Sequence, residues 1–504
     1  MADPERIRAS SVSKSFHAFC FDGQLWASLD ATGFYQEIPA SSLAKLIANT
    51  GPFLKHLNLR GCVQLEHYRR TEVIAKSCKH LVSTTLEGCR NFERSSLHNL
   101  LRGNEHLVHL NLAGLLTLSN STCPIIAQSC PNLEVLNVSW CRKLEASCLK
   151  EIVDSCTKLR DLRAGEIRGF DCIRMAQSIF RANTLERLVL SGCLDLNDTC
   201  LSIMMHGMNP EIDILTGLPV APPRKLRHLD LSRCVRLTDS GVKHLGYVTP
   251  NLQGLQLSRC GMLTNAALKP IFATTPELTH LELDEVEDLT DELFSEHLAN
   301  APCAGRLEHL SLSYCDNLGD AGLLPVLKRC VRLKSVYLDN TRISDALLAE
   351  AAAMAQRRSA RSPSADFRAR ETLHLAVFDC PNVTWAGILE VLSRNAEIQH
   401  VDGHADQATY PTEVVSLKCF YGYQMMVNAH QRRVLRGDLL AARKLERKWI
   451  DHMRAEEEAR AGGGIPRRRR RRGRDAQQLQ VVEEGGNIVI ASQRARPLTS
   501  CCVM

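Results

Sequence analysis

Leu226 to Val235 reads LRHLDLSRCV, and this stretch decides the fold because its apolar positions return along the 504-residue chain at a nearly fixed interval. With the first leucine of each copy as a marker, the series runs Leu54, Leu81, Leu107, Leu133, Leu159, Leu185, Leu226, Leu252, Leu278, Leu307 and Leu333, and weaker copies start at Thr372 and Ile398. Most steps are 26 residues. Within a copy the frame is L-x-x-L-x-L-x-x-C, as in LKHLNLRGC (Leu54 to Cys62), LERLVLSGC (Leu185 to Cys193) and LEHLSLSYC (Leu307 to Cys315).

Alternation in L-x-L puts both leucines on one face of a short strand and the residue between them on the other. The segment after the Cys, such as LTDSGVKHLGYV (Leu237 to Val248), carries Val242, Leu245 and Val248 at helical spacing. One strand and one helix cannot enclose a core, so neighbouring copies must stack, with strands side by side in parallel and helices behind them. The frame resembles the Cys-containing class of leucine-rich repeats. That implies an α/β solenoid of the ribonuclease-inhibitor type, a horseshoe of about thirteen repeats. We place the array at 34–407, with insertions at 208–223 (MNPEIDILTGLPVAPP) and 357–370 (RRSARSPSADFRAR). The first reads as a structured loop; the Ser/Arg composition of the second predicts disorder, with Ser362-Pro363 as a candidate phosphosite.

Of 21 cysteines, eight hold the repeat's Cys position: Cys62, Cys89, Cys141, Cys193, Cys234, Cys260, Cys315 and Cys380. Cys78, Cys130, Cys156 and Cys330 each stand three residues before a marker leucine. A thiol repeated in register is a small buried residue bonding to the turn, so these twelve are read as reduced and structural. There is no C-x-x-C pair, nucleotide loop or nucleophile elbow, and neither a cofactor nor a metal is expected. The chain reads as non-enzymatic.

The segment 1–33 precedes the array and does not share its period. In IRASSVSKSFHAFCFDGQLWASL (Ile7 to Leu29), Val12, Phe16 and Phe19 fit one helix face, and Asp22-Gly23 turns the chain into Leu25 and Trp26. Ala9, Val12, Ser13, Phe16, Gly23, Leu25, Trp26 and Leu29 resemble the second half of an F-box, the module that joins leucine-rich-repeat substrate receptors to SCF ubiquitin ligases. The resemblance implies that Val12, Phe16, Leu25 and Trp26 contact a Skp-family adaptor and through it a cullin. It further implies that the concave face selects a protein substrate, phosphorylated or not, for ubiquitin-dependent degradation. The alternative is a repeat scaffold or inhibitor that binds a partner without any ligase.

Residues between the leucines face the groove, and Arg60, Asn111, Asn137, Trp140, Arg233, Arg259, Glu282, Asp284, Tyr314 and Tyr337 are the expected substrate contacts. His56, His109, His228, His280 and His309 recur at one repeat position, which argues for a consensus side chain rather than a unique catalytic base. The chain's net charge is +6, but the groove is mixed, with Arg233 and Arg259 followed by Glu282, Asp284, Glu285, Glu287 and Asp288, which suits a protein partner better than a nucleic acid.

Beyond the array, 408–461 is charged and helix-prone, with Met426, Leu435, Leu439, Leu440, Leu445 and Trp449 suggesting cap helices. The tail 462–504 reads as disordered and carries six consecutive arginines, Arg467 to Arg472. It ends in Cys501-Cys502-Val503-Met504, a C-a-a-X pattern that marks Cys501 for prenylation. One lipid anchors only marginally, and the arginines supply the second signal for an anionic membrane. No leader and no apolar run of bilayer length is read. The expected location is cytoplasmic, with membrane tethering through the tail; the arginine run also fits a nuclear signal.

Overall fold

The computed structural model describes residues 12–15, 22, 25–33, 35–65, 68–215, 219–361, 369–400, 408–409 and 411–461, and two strands at 478–484 and 487–493. The chain divides into two compact units, Met1–Val286 and Glu287–Met504.

In the first unit ten three-residue strands pair in parallel and in chain order. They are β1 (Ser28–Asp30), β2 (His56–Asn58), β3 (Ser83–Thr85), β4 (His109–Asn111), β5 (Val135–Asn137), β6 (Asp161–Arg163), β7 (Arg187–Val189), β8 (His228–Asp230), β9 (Gly254–Gln256) and β10 (His280–Glu282). Register follows the markers: His56 lies opposite Ser83 and His228 opposite Gly254. The central leucines, Leu57 and Leu229 among them, are buried against the helices. The helices between these strands are α1 (Ala40–Thr50), α2 (Tyr68–Ser77), α3 (Arg94–Arg102), α4 (Cys123–Ser129), α5 (Ala146–Ser155), α6 (Ile173–Arg181), α7 (Asp198–His206), α8 (Asp239–Val242), α9 (Leu245–Val248) and α10 (Asn265–Thr274). In the second unit, β11 (His309–Ser311), β12 (Ser335–Tyr337), β13 (Arg370–Ala376) and β14 (Glu413–Lys418) pair the same way. Their helices are α11 (Asp320–Arg329), α12 (Asp345–Arg361) and α13 (Trp385–Asn395), and then α14 (Tyr421–Arg436) and α15 (Leu439–Ala461).

A three-residue strand is too short to stand alone, and two further sets of bonds join each repeat to the next. The first is a thiol ladder. Cys89 donates its thiol hydrogen to the carbonyl of Leu59 in the preceding repeat at 3.0 Å. Cys141 does so to Leu112 at 3.3 Å, Cys234 to Leu190 at 3.3 Å, Cys260 to Leu231 at 3.2 Å and Cys380 to Leu338 at 3.1 Å. The sequence predicted a weak bond to the turn, and Cys141, Cys315 and Cys380 do reach a carbonyl of their own turn at 3.5–4.0 Å; the shorter bonds go to the neighbouring repeat. Burial pushes these thiols up, Cys89 to about 12 and Cys260 to about 11, so they remain protonated donors. The second set lies at the helix starts. Thr264 caps α10, and the Asp239 carboxylate accepts from its backbone N–H at 2.8 Å and its hydroxyl at 2.6 Å. Asp198 holds Thr238, and Asp345 holds Thr384, in the same way.

Four expectations are corrected. Trp26 is not on a surface: Ser28 pairs with His56, so Trp26 takes the marker-leucine place of an extra first repeat and is fully buried, with Leu29 beside it in the core. The first repeat therefore begins inside the segment read as preceding the array. The copy expected at Ile398 is not the last strand of the array. Gln399–His400 instead forms a short antiparallel pair with Ala408–Thr409, and Val414 supplies the marker, bringing Ser416 opposite His374. Residues 357–361 of the second insertion are helical, because the Arg358 guanidinium satisfies the carbonyls of Val331 at 2.7 Å and Leu333 at 2.7 Å; Ser362 and Pro363 lie outside the described residues. The tail read as disordered holds an antiparallel strand pair, Gln478–Glu484 with Asn487–Gln493.

At the C-terminal side of β14, Val414 packs with Ala396 and with Val434, Leu439 and Ala442 of the last two helices. Trp449 is buried there, edge-on to Trp385 and Tyr423, while Leu440, expected in this seam, is exposed.

Cys260→Ala removes an inter-repeat bond and leaves a small void. It is expected to lower the unfolding free energy by about 1–2 kcal/mol. Urea denaturation followed by far-UV circular dichroism checks this.

Candidate functional site

Strands β2 to β13 each run on into a tight turn, and one position of that turn is left-handed in all twelve. Gly61, Gly88, Gly114, Trp140, Glu166, Gly192, Arg233, Arg259 and Glu285 have φ between 57° and 76° in the first unit; Tyr314, Asn340 and Asp379 have φ between 53° and 61° in the second. The conformation lets the chain reverse while the residue's N–H still reaches the next repeat: Gly61 donates to the Glu87 carbonyl at 2.8 Å, and Arg233 to that of Ser258 at 2.7 Å. Glycine adopts this conformation freely, whereas a residue with a Cβ pays about 1–2 kcal/mol for it. The sequence nonetheless places Trp140, Arg233, Arg259 and Tyr314 here, about half exposed.

Charged neighbours hold several of these side chains. Arg233 meets Glu166 at 2.7 Å, passing over Gly192, where an added Cβ would lie 2.5 Å from the Glu166 carboxylate; only glycine leaves room for that bridge. Arg259 meets Glu285 at 2.5 Å and Arg60 meets Glu87 at 3.1 Å. Within β6, Arg163 meets Asp161 at 2.7 Å, and hydrogen bonding to that carboxylate raises its already high pKa. Exposed pairs add 0–1 kcal/mol at most to stability. Their effect here is to fix long side chains in one geometry before any partner arrives.

The expected contacts thus separate into two kinds. Arg60, Trp140, Arg233 and Arg259 project from the first unit, and Tyr314 and Tyr337 from the second. Asn111 and Asn137 are engaged within the fold: their side-chain oxygens accept from the backbone N–H two residues on, at 3.1 Å in each case, and Asn111 also donates to Glu87. Asp230 makes the equivalent bond to Ser232 at 2.9 Å. Glu282 and Asp284 are half-buried. Of the repeated histidines, His228 is held below the usual imidazole range by burial and then by Arg187, and the His309 ring packs against Tyr337 at 5.4 Å.

Of the adaptor contacts, Val12 is 70% exposed and Leu25 40% exposed, whereas Trp26 is core; Phe16 lies outside the described residues, as do Arg467 to Arg472 and Cys501. The insertion at 208–223 presents Ile212, Ile214, Leu215 and Val220 outward. It is anchored by Arg224, whose buried guanidinium donates to the carbonyls of Ile179 at 3.0 Å and Phe180 at 2.8 Å. No helix among the described residues is long and apolar enough to cross a membrane.

The family model described as "Leucine Rich repeat" matches residues 223–246 and 307–327, the stretches around β8 and β11. The fold is the leucine-rich-repeat solenoid. Among solved structures the chain is similar to yeast Rad7 in complex with Elc1 (16% identity over 69% of this chain and 90% of that chain, TM-score 0.38). It is also similar to an internalin of Listeria monocytogenes (14% identity, 67% and 77%, TM-score 0.37) and to LegL7 of Legionella pneumophila (16% identity, 61% and 89%, TM-score 0.33). No curated protein matches the chain by sequence. Leucine-rich-repeat solenoids are typically protein-binding scaffolds, and the exposed turn residues are this one's candidate contacts.

Asp230 supplies a pH test of this surface. Burial is the first cause that raises its carboxyl pKa, so the folded state holds the proton more tightly than the unfolded chain, and ionisation costs stability as pH rises through the folded value. Asn58, Asn111 and Asn137 show that an amide makes the same backbone bond. Asp230→Asn is therefore expected to be more stable than the parent at pH 7, and the gain should vanish below about pH 3, where both side chains are neutral. Thermal melts across that range check it.

Proposed function

We propose that this chain is the substrate-recognition subunit of an SCF-type ubiquitin ligase, non-enzymatic itself, gripping a protein partner with the turn side chains at the strand ends. The observation that carries the binding reading is the run of non-glycine residues in a left-handed conformation. Gly61, Gly88, Gly114 and Gly192 hold that position at no cost, so a stabilising residue was open at Trp140, Arg233 and Arg259. Strain kept where a large side chain projects is a mark of function. Trp and Arg are also the side chains most often found at the energetic centre of protein interfaces. Basic and acidic groups interleave on this surface, which suits a polar protein segment, phosphorylated or not, rather than nucleic acid.

The ligase reading rests on the F-box resemblance of residues 7–29 ahead of Cys-type repeats. With Trp26 and Leu29 in the core, adaptor contact falls to Val12, Phe16 and Leu25. Tethering to a membrane through Cys501 belongs to the same reading, and replacement of Cys501 by Ser would abolish labelling by a farnesyl donor.

Trp140→Gly separates binding from folding. Relief of the left-handed strain should leave the melting temperature unchanged or raised, while affinity for the captured partner falls by tenfold or more, about 1.4 kcal/mol. Pull-down from cells with the parent and variant chains, followed by titration of the partner found, reads both. Adaptor binding is tested with Val12→Asp and Leu25→Asp in a pull-down with the organism's Skp-family adaptor, since Trp26→Ala would damage the core. Binding by the parent that both variants lose supports the ligase subunit. No binding by the parent leaves a scaffold that works without a ligase.

A further inference from the structure

Four cysteines outside both repeat positions stand at the starts of four consecutive helices: Cys123 at the first residue of α4, Cys148 in the first turn of α5, Cys172 capping α6 and Cys200 in the first turn of α7. Two of them touch. The Cys123 and Cys148 sulfurs are 2.8 Å apart, between helices of adjacent repeats. The repeat thiols bond to carbonyls of the preceding repeat; in this pair Cys148 donates to the Glu145 carbonyl of its own helix start at 3.0 Å, which leaves the Cys123 thiol to donate to the Cys148 sulfur. Closing the gap to a disulfide's 2.05 Å requires less than about 1 Å of motion.

We infer that Cys123 and Cys148 form a peroxide-sensitive dithiol, with the partly exposed Cys148 as attacking sulfur and the buried Cys123 as resolving sulfur. The roles follow from access and position. Cys123 is 1% exposed, while Cys148 is half-buried and reachable from solvent. Cys148 lies in the first turn of the ten-residue α5, where the peptide dipoles favour a thiolate. The hydrogen bond from the Cys123 thiol to the Cys148 sulfur favours the Cys148 anion and holds its pKa below the usual cysteine value; the same contact raises that of Cys123.

The oxidant is a hydroperoxide. The Cys148 thiolate attacks the peroxide's terminal oxygen, the O–O bond breaks, and the leaving oxygen takes a proton to give water or an alcohol, leaving Cys148 as a sulfenic acid. The Cys123 sulfur then attacks the Cys148 sulfur; the S–O bond breaks and hydroxide leaves as water with the Cys123 proton. Two thiols lose two electrons in total and one peroxide gains them. The product bond ties α4 to α5 across the turn that carries Trp140, in the strand-and-turn segment between the two cysteines. It gives the surface proposed for binding a covalent brace on one side.

The test uses the reduced full-length chain treated with one equivalent of hydrogen peroxide, with circular dichroism as the control for folding. Trypsin cuts at Arg142 and Lys143 between the two cysteines, so a non-reducing digest should give a linked peptide pair containing Cys123 and Cys148. Two thiols per chain should be lost, and dithiothreitol should restore both. In Cys123→Ala, Cys148 should stop at the sulfenic acid and be trapped by dimedone about tenfold faster than Cys172; in Cys148→Ala, Cys123 should not react on that timescale. The inference is overturned if the folded chain yields no linked peptide, or if Cys172 or the repeat thiols oxidise as fast as the pair. It is also overturned if Cys123 reacts unchanged without Cys148.

Discussion

A parallel strand of three residues cannot satisfy its own backbone, and this molecule rests on the requirement that every repeat find its hydrogen bonds in its neighbours. The strand ladder meets part of the need, as Leu59 to Thr85 and Leu231 to Gln256 show. The buried thiols meet more of it on the core side of the turn, and the Asp–Thr pairs do the same at the helix starts. The leucines bring repeats together without direction; these polar bonds set the register. A one-residue slip would misplace the leucine face, the thiol and the aspartate together.

The left-handed turn residue joins architecture to recognition. Its N–H belongs to the ladder, and its side chain is left outside it, available to the proposed partner. That division frees the side chain to vary, which accounts for Trp, Glu, Arg, Tyr, Asn, Asp and Gly sharing one backbone conformation. Where a glycine remains, its bareness can itself be used, as at Gly192 under the Glu166–Arg233 bridge.

The repeat frame was legible because burying one face of a strand demands apolar residues at fixed spacing, and that demand leaves its mark at every copy. Where a different residue fills the same volume the reading failed: Trp26 does the work of a leucine, and Val414 does too after a detour of the chain that the apolar Ile398 disguised. The left-handed turn was invisible because its occupants share a conformation and no chemistry. Trp140, Arg233, Arg259 and Tyr314 were nonetheless picked out, on the weaker ground that they stand among the non-leucine residues of the frame facing the groove. Asn111 and Asn137 were picked on the same ground, although their amides serve their own turns. The Cys123–Cys148 contact was hidden because its residues occupy different offsets within their helices, so spacing alone does not bring them together.

The thiol ladder also has a direction. Cys89, Cys234 and Cys260 donate backward, each to a carbonyl that already receives the N–H of its own repeat's cysteine, as Leu59 receives Cys62 at 3.0 Å. Peeling a repeat from the C-terminal side leaves that carbonyl with a donor, whereas peeling from the N-terminal side strips a thiol of its acceptor. A chain emerging from the ribosome lays down each acceptor before the donor that needs it, so the solenoid is built to grow in the order in which it is translated.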